Sequence, residues 1–362
     1  MSRHFASTFS DARGRFLEAC LSAGVPVSHH HHPLAGPQGE LLAADVARAG
    51  PASAEEVVIL VSATHGAEGY CGSGIQSGLL ADLALSGMKP GQALVMLHAL
   101  NPYGFAWMRR VNEDNIDLNR NFVDHAGGNY PENDLFELLA PHVVPRERTE
   151  EARAAGAAAI AALAAEHGEV AVRKAIAKGQ YRHKDNVHFG GAAPAWSNLL
   201  LHEVCARHLK GAKRAMLIDI HTGLGPYGYG ELMTPSKPGE HVYDTLHAAF
   251  GDEVLSTTAG PTPYAGSKGS ILAGFRPDAP GTDFVAVGLE YGTRDRPVVR
   301  EAVEADTWLH AHGDLDSAEG RAIKARLRDA FYPDEDEWKR LVWERGVDVV
   351  GRAFAHLGGA ST

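Results

Sequence analysis

Hydrophobic and polar positions along the chain alternate between short apolar runs and longer stretches with helical character. The apolar runs are nearly continuous in Val, Ile and Leu, which is typical of strands buried on both faces of a sheet. They lie at 55–64, 92–100, 214–220 and 283–290, and the helical stretches lie at 74–87, 196–211 and 240–255. This alternation predicts an α/β fold with a mixed, mostly parallel central sheet flanked by helices.

The stretch 123–195 departs from this alternation. It contains the alanine-rich tract EEARAAGAAAIAALAAEHG and ends in GQYRHKDNVHFGGAAPAW, a loop rich in glycine and aromatic residues. The alanine tract is typical of a plain helix. We therefore predict a helical insertion at about 123–195 within a single domain of residues 1–362, followed by a helical C-terminal part at 293–362.

Composition and charge narrow the class of partner. The chain has 362 residues, 44% of them hydrophobic, and a net charge of −11. Nucleic acids and anionic membrane surfaces bind basic patches, so the charge argues against both kinds of partner. The sequence has no run of 18 apolar residues, which excludes a predicted membrane span, and it begins without an apolar core of signal-peptide length.

The three cysteines indicate a compartment. Cys20, Cys71 and Cys205 form no C-x-x-C pair, which favours free thiols and a reducing environment. We therefore expect a cytoplasmic protein, and the sequence does not indicate its oligomeric state.

Polar side chains with chemical capacity follow each of the four predicted strands. His65 and Glu68 follow the first strand, and the polar loop 101–122 follows the second. The third strand leads into His221, and Glu290 ends the fourth. Ligands of open α/β sheets bind beyond the carboxyl ends of the strands. These side chains are therefore predicted to form one site.

His65, Glu68 and His221 suit a catalytic zinc ion, which takes three nitrogen or oxygen ligands and leaves one position open. A His-x-x-Glu motif alone is more typical of a capped turn than of a metal site. The second histidine follows Asp219, which can orient it, and this favours the metal site. Glu290, at the end of an apolar strand, could be a metal ligand, a general base or part of a salt bridge. The two histidines and Glu68 already suffice for the metal, which favours the base.

The tract SHHHHP at 28–33 is a second cluster of histidines. Consecutive residues alternate between the two faces of an extended strand, so these four side chains cannot all meet one ion. We predict a solvated edge strand or loop there.

The order of the motifs resembles that of a known family. The motifs His-x-x-Glu, Asn-Pro-x-Gly-Phe, Arg, Asp-x-Asn-Arg-Asn-Phe, Asp-Ile-His, Tyr and Glu run from His65 to Glu290. They resemble those of the zinc carboxypeptidases of the carboxypeptidase A/B superfamily, which also includes succinylglutamate desuccinylase and aspartoacylase. The resemblance indicates a bacterial branch of this superfamily. It implies one Zn²⁺ per chain, held by His65, Glu68 and His221.

The resemblance also implies roles for six further residues. Glu290 is the general base, Arg110 rather than Arg109 stabilises the oxyanion, Asn119 and Arg120 hold the substrate carboxylate, Tyr264 closes over the substrate, and Ile271 lines the pocket for the terminal side chain. Two features depart from the family. Leu272 stands where an acidic residue is common, and the insertion separates Glu68 from His221 widely.

The resemblance implies a zinc-dependent hydrolase that cleaves an amide bond next to a free carboxylate. Its substrate would be a small molecule or a short peptide, as for a metallocarboxypeptidase. An alternative is a deacylase of small N-acyl amino acids. A non-catalytic zinc-binding protein is a further alternative, although the implied base, arginine and ligands are all present. A serine hydrolase is disfavoured, because no G-x-S-x-G nucleophile elbow follows a strand.

Overall fold

The computed structural model of the chain describes residues 2–259 and 268–359. The strands in these residues form one sheet: β1 (Val27–Ala35), β2 (Leu41–Ala49), β3 (Glu56–Val61), β4 (Gln92–His98), β5 (Arg214–Tyr227), β6 (Gly230–Thr234), β7 (Val254–Ser256) and β8 (Asp283–Gly292). Their order is β1-β2-β4-β3-β5-β8-β6-β7. The central strands β4, β3, β5 and β8 are parallel, whereas β2 and β6 pair antiparallel to them. The predicted α/β fold with a mixed, mostly parallel sheet is confirmed.

Helices cover both faces of the sheet, and the last three of them follow β8. They are α1 (Phe9–Ala23), α2 (Gly69–Ala81), α3 (Pro102–Ala106), α4 (Asp134–Val143), α5 (Glu150–His167), α6 (Glu169–Lys178), α7 (Trp196–His208), α8 (His241–Phe250), α9 (Ile271–Gly274), α10 (Arg296–His312), α11 (Ala318–Phe331) and α12 (Asp336–Gly359). In the described part of the chain, no single helix is long and apolar enough to cross a membrane. The pair α5 and α6, bent by 116°, reaches that length and composition when both are taken together.

The central strands are apolar throughout because both faces of the sheet are covered. Alternate residues of β3 divide between two cores: Val58 and Leu60 pack with residues of α1, α2 and α12, whereas Ile59 packs with residues of α7. This two-sided burial produces the continuous apolar runs in the sequence. It also holds the carboxyl ends of the strands rigidly in place.

The stretch 123–195 contains α4, α5 and α6, which share a small apolar core of their own. Val303 and Trp308 of α10 pack against this core. Trp308 also donates a hydrogen bond from its indole nitrogen to the Arg146 carbonyl oxygen, at 3.0 Å. The insertion is therefore anchored on α10.

The structure differs from the sequence prediction at the N-terminal side. The antiparallel strand β2 was not predicted, and for the largely polar and exposed β1 the sequence allowed either an edge strand or a loop. The histidine tract lies in β1, an edge strand, where His29 approaches Asp45 at 2.5 Å. Among the described residues the histidine tract forms no group of three potential metal ligands.

Candidate metal centre

The register of the parallel strands aligns the predicted site residues. Val61 of β3 lies beside Asp219 of β5, and His221 of β5 lies beside Glu290 of β8. His65 lies in the loop that follows β3. The side chains from the C-terminal parts of these strands and from this loop therefore meet at one edge of the sheet, where ligands of open α/β sheets bind.

The His-x-x-Glu motif forms a tight turn that runs directly into α2. Backbone nitrogens of Gly66 and Ala67 donate to the carbonyl oxygens of Arg110 and Arg109, at 3.1 and 2.8 Å. A Cβ at Gly66 would lie 2.0 Å from the carbonyl carbon of Gly104. Glycine is therefore required at position 66, because it lets the turn pack closely against α3. The two backbone hydrogen bonds hold Arg109 and Arg110 beside this turn.

Three potential ligands converge inside this turn. Nδ1 of His65 lies 2.9 Å from one carboxylate oxygen of Glu68, and Nδ1 of His221 lies 2.8 Å from the other. One ligand atom from each residue lies within 4.8 Å of the others. Burial by itself would raise the pKa of Glu68, but the adjacent His65 and His221 outweigh it and hold this pKa well below its usual range.

Carboxylates orient both imidazole rings. Nε2 of His65 donates to Asp117 at 3.0 Å, and Nε2 of His221 donates to Asp219 at 2.7 Å. With Nε2 protonated, each Nδ1 would offer its lone pair to an ion bound beside Glu68. Two imidazole nitrogens and one carboxylate oxygen are a donor set that zinc accepts in catalytic sites. The residues present therefore fit the metal implied by the resemblance.

The two neighbouring arginines point to different places. Arg110 donates from Nη1 to Glu68 at 2.8 Å, and its guanidinium lies 5.9 Å from the centre of the Phe331 ring. Arg109 lies in the interior beside Asp306, at 3.7 Å. Arg110 is thus the arginine that faces the metal centre.

Asn119 and Arg120 lie on a short turn that follows Asp117. The guanidinium of Arg120 is buried and donates to the carbonyl oxygens of Asn119 and Ala177, at 2.9 and 2.6 Å. The side-chain oxygen of Asn119 accepts a hydrogen bond from the backbone nitrogen of Ile271, at 3.1 Å. Backbone groups of α6 and α9 therefore fix the position of this pair.

Glu290 lies on β8 beside the metal centre and is 8% exposed. It accepts a hydrogen bond from the backbone nitrogen of Leu224, at 3.1 Å. Burial, assisted by the negative charge of Glu68, raises the pKa of Glu290 to about 8. A carboxyl group with such a pKa can exchange a proton near neutral pH.

These side chains share one cavity of about 500 Å³, a volume in the usual range for small-molecule sites. The predicted site residues that line it are His65, Arg110, Asn119, Arg120, His221 and Glu290. Glu68 lies beneath them, almost fully buried. The structure thus brings the strand ends and the polar loop together, as the sequence predicts.

Two predicted residues stand apart. Tyr264 lies outside the described residues. The side chain of Ile271 is fully buried in the core on one face of the sheet, and the residues on either side of it, Ser270 and Leu272, line the cavity instead. Ile271 begins α9, and its side chain lies in the core, so it does not line the cavity.

Sequence reasoning missed the contribution of the insertion loop. Nδ1 of His188 donates to Asp117 at 3.1 Å, and the hydroxyl of Tyr181 donates to the Arg120 carbonyl oxygen at 2.6 Å. His188 lines the cavity and has a φ of 55°, which is rare for a residue other than glycine. Only the density of histidine and tyrosine in this loop marked it in the sequence.

Comparisons with known proteins agree with this fold. Residues 5–345 match a family described as "Protein of unknown function (DUF2817)". The chain is similar in structure to thrombin activatable fibrinolysis inhibitor (TAFI), with 12% identity and a TM-score of 0.50, over 98% of this chain and 74% of that one. The resemblance to the zinc carboxypeptidase-like superfamily is confirmed at the level of the fold.

Two further solved structures are similar over most of this chain. Carboxypeptidase A from Helicoverpa armigera has 14% identity and a TM-score of 0.44, over 90% of this chain and 74% of that one. A succinylglutamatedesuccinylase/aspartoacylase from Rhodobacter sphaeroides has 15% identity and a TM-score of 0.37, over 84% of this chain and 64% of that one. No curated protein matches the sequence.

Proposed function

The chain belongs to the DUF2817 family, and we propose that it is a zinc-dependent hydrolase that cleaves an amide bond next to a free carboxylate. The observation that supports this proposal is the grouping of a His-Glu-His ligand set, a buried glutamate, the half-buried Arg110 and the buried Arg120 around one cavity. A structural metal site would have no need of the glutamate or of a cavity beside it.

Each residue has a distinct role in this proposal. His65, Glu68 and His221 would hold the zinc ion, which supplies Lewis acidity and a water-derived nucleophile at neutral pH. Glu290 accepts the proton of the attacking water and passes it to the leaving amine nitrogen. Arg110 donates to the carbonyl oxygen as negative charge develops on it.

Arg120 binds the free carboxylate of the substrate, assisted by the amide of Asn119. A guanidinium pairs with a carboxylate through charge-assisted hydrogen bonds. The Ala177 carbonyl holds Arg120 in place, so little side-chain entropy is lost when the substrate binds. This fixed contact orients the scissile amide over the ligand set.

The position of the insertion supports a small substrate. Ala177, Val187 and His188 line the cavity on the side of Arg120. They leave a space of about 500 Å³, which suits a dipeptide or an N-acyl amino acid better than a long peptide. This enclosure favours the deacylase of small N-acyl amino acids as the second candidate beside a metallocarboxypeptidase-like enzyme.

The first experiment measures zinc content and hydrolysis of short peptides and N-acyl amino acids, each with a free and an amidated carboxylate. We expect about one zinc ion per chain and cleavage of the free acids. Arg120→Ala should raise KM for the free acids and leave the amidated compounds unaffected. An equal effect on both forms would refute the carboxylate role, and absence of zinc together with absence of hydrolysis would refute the proposed function.

Arg182→Ala provides a matched control. This arginine also belongs to the insertion, but it is exposed, pairs with Glu137 at 3.7 Å and does not line the cavity. We expect its kinetic constants to equal those of the unmodified protein.

A further inference from the structure

A largely buried group of charged and polar side chains lies behind the loop that carries Arg110. Its members are Arg109 from that loop, Asp306 and His310 from α10, and Lys324 from α11. These four side chains do not line the cavity, and the proposed reaction uses none of them. Because buried charges cost free energy even when they are paired, such a group calls for an explanation.

The ammonium group of Lys324 is fixed by three acceptors. Its Nζ donates to the Met108 carbonyl oxygen at 3.1 Å, to the Asp306 carboxylate at 2.5 Å and to Nε2 of His310 at 2.6 Å. Burial, together with the positive charges of Arg109 and Lys324, lowers the pKa of His310 to about 2, so its Nε2 is unprotonated and can accept. An ammonium group has three donors, and all three are used here.

Met108 begins the short segment that leads to Arg110, and its backbone is strained. Its φ is 48°, which is rare for a residue other than glycine. Lys324 holds its carbonyl oxygen, and the next two carbonyl oxygens accept from backbone nitrogens of the His-x-x-Glu turn, at 2.8 and 3.1 Å. A rarely populated backbone conformation persists only where the surroundings hold it. Lys324 provides that contact at the strained residue itself.

One face of α11 contacts both ends of this segment. Lys324, Leu327 and Phe331 are spaced by three and four residues and therefore share a face of the helix. Leu327 and Phe331 belong to one apolar cluster, against which Met108 packs. The guanidinium of Arg110 lies 5.9 Å from the centre of the Phe331 ring. The direction of Arg110 therefore depends on how Met108 is held against this face.

Arg109 holds the other end of the loop from the same group of charges. Its Nη1 donates to the Asn112 carbonyl oxygen at 3.2 Å, and its Nη2 donates to the side-chain oxygen of Asn115 at 2.7 Å. Asn115 also has a positive φ, of 61°. One oxygen of Asp306 accepts from Lys324, and the other lies 3.7 Å from Nε of Arg109. A single buried carboxylate thus joins the supports of both strained residues.

We propose that Lys324, oriented by Asp306, is a positioning residue for Arg110: it holds the Met108 carbonyl so that the guanidinium faces the metal centre. This inference rests on the proposed function and assigns a support to the residue that stabilises the oxyanion. Hydrogen-bond donors stabilise a transition state best when their orientation is fixed before the reaction. A misplacement of about 1 Å can cost on the order of 100-fold in rate. Lys324 acts without contacting the substrate.

Lys324→Met is the first test, with the substrates of the zinc and hydrolysis experiment. This change leaves Asp306 beside Arg109, so no charge in the group remains without an opposite one. We expect kcat to fall about tenfold, with KM and zinc content unchanged, since Arg110 acts on charge that develops only in the transition state. Arg326→Met removes a positive charge from an exposed position of the same helix and should leave kcat unchanged. An equal loss in both variants would overturn the inference, because the effect would then be one of net charge.

A double-mutant cycle separates positioning from general support of the fold. If Lys324 acts through Arg110, Lys324→Met has no further effect on kcat in a protein that already carries Arg110→Met. The same loss in both backgrounds would overturn the inference. Should Lys324→Met not fold, Lys324→Gln takes its place, because its amide is uncharged and can still donate one hydrogen bond. We then expect a smaller loss of kcat that again disappears in the Arg110→Met background.

Hydrogen exchange separates this inference from the proposed function. If the unmodified protein hydrolyses none of the compounds, the proposed function fails, and amide exchange in the unmodified protein and in Lys324→Met decides the inference. We expect faster exchange in the segment 104–112 and at Gly66 and Ala67, whose backbone acceptors lie in that segment. Exchange in β4 should stay the same. Unchanged exchange in the segment, or an equal increase in β4, would overturn the inference.

Discussion

Asp117 lies fully buried where the candidate metal ligands, Arg110, Arg120 and the insertion meet. It accepts hydrogen bonds from His65 and His188, and Arg110 and Arg120 lie within 3.5 and 3.8 Å of it. Burial by itself would raise its pKa, but Arg120, Arg110 and His65 outweigh it and hold the pKa of Asp117 well below its usual range. Asp117 therefore stays ionised and fixes the orientation of His65.

Two substitutions test whether the hydrogen bond and the backbone conformation of His188 stabilise the fold. His188→Ala removes the hydrogen bond to Asp117 and places alanine at a φ of 55°. We expect it to lower the free energy of unfolding by about 1–3 kcal/mol. His188→Asn should lose much less, because asparagine tolerates this φ and can donate to Asp117. Denaturant unfolding measures both variants, and equal losses would contradict this account.

Glu290 is the residue on which the proposed reaction depends. We expect Glu290→Gln to retain zinc, since Glu290 is not among the three ligands, and to lower kcat by about 10²–10⁴-fold. Metal analysis and steady-state kinetics on the same sample check both parts. Turnover at the unmodified rate would exclude Glu290 as the base.

The pH profile offers a second test of Glu290. The base acts in its ionised form, so kcat/KM should rise with pH until Glu290 is deprotonated. Burial raises its pKa to about 8, and the positive charge of a bound zinc ion would lower that value. The acid limb of the profile should therefore lie below pH 8. A profile that falls as pH rises toward 8 would contradict this role.

At the scale of elements, the link between α1 and the antiparallel edge of the sheet depends on a buried charge. Arg13 of α1 binds both carboxylate oxygens of Asp45 on β2, at 2.7 and 3.1 Å. Burial by itself would raise the pKa of Asp45, but the hydrogen bonds from Arg13 and His29 outweigh it, so this pKa is lowered. The interaction joins two elements that the apolar pattern did not predict.

Asp45→Asn tests this link. A carboxyl group whose pKa is lower in the folded state stabilises the protein above its ordinary pKa of about 4 and loses this effect as pH falls through the folded-state pKa. We expect the variant to lose about 2 kcal/mol of unfolding free energy at pH 7. The deficit should shrink in acid, below about pH 4. A deficit that is constant from pH 7 to pH 3 would contradict this explanation.

The burial of each strand explains which elements could be predicted from the sequence. β3, β4, β5 and β8 are covered on both faces, so their burial appears as uninterrupted apolar runs. β1 lies at the edge with an exposed side, so the pattern of its histidine tract fits an edge strand and a loop equally. The sequence pattern predicts that α2 begins at residue 74, five residues after its actual start at Gly69. The segment GYCGSG has few helix formers, and the turn of the His-x-x-Glu motif leads directly into it. Tertiary contacts, and not local propensity, begin this helix.

The candidate site divides in a similar way. His65, His221 and Glu290 could be predicted because each lies at or just beyond the end of an apolar run in the sequence, and the carboxyl ends of parallel strands meet at one edge of the sheet. His188 and Tyr181 could not, because they lie in the insertion, whose position depends on packing against α10. Contacts between segments so distant in sequence leave no periodic pattern. Leu272 was missed for a simpler reason, since the neighbouring Ile271 had been assigned to the pocket.

At the scale of the whole molecule, metal binding should contribute to stability. A ligand that binds only the folded state adds about 2.7 kcal/mol when its free concentration is about 100 times Kd. We therefore expect chelation to lower the melting temperature and added zinc to restore it. Scanning calorimetry with and without chelator measures the change, and an unchanged melting temperature would contradict a resident metal.

Histidine variants identify where the metal binds. His221→Asn should remove both the bound zinc and the stabilisation. His30→Ala/His31→Ala, in the edge strand β1, should change neither. Loss of zinc from the β1 variant alone would place the metal in the histidine tract and contradict the assigned centre.

The hydrogen bond from Arg120 to the Ala177 carbonyl limits how the insertion can change in related proteins. The insertion covers the cavity, and the same helix also supports the residue proposed to hold the substrate. Shortening the insertion to admit longer chains would release that arginine as well. The range of substrates that fit the cavity and the binding of the substrate carboxylate therefore both depend on α6. A related protein with a shorter insertion and a more open cavity would need another hydrogen-bond acceptor to hold Arg120.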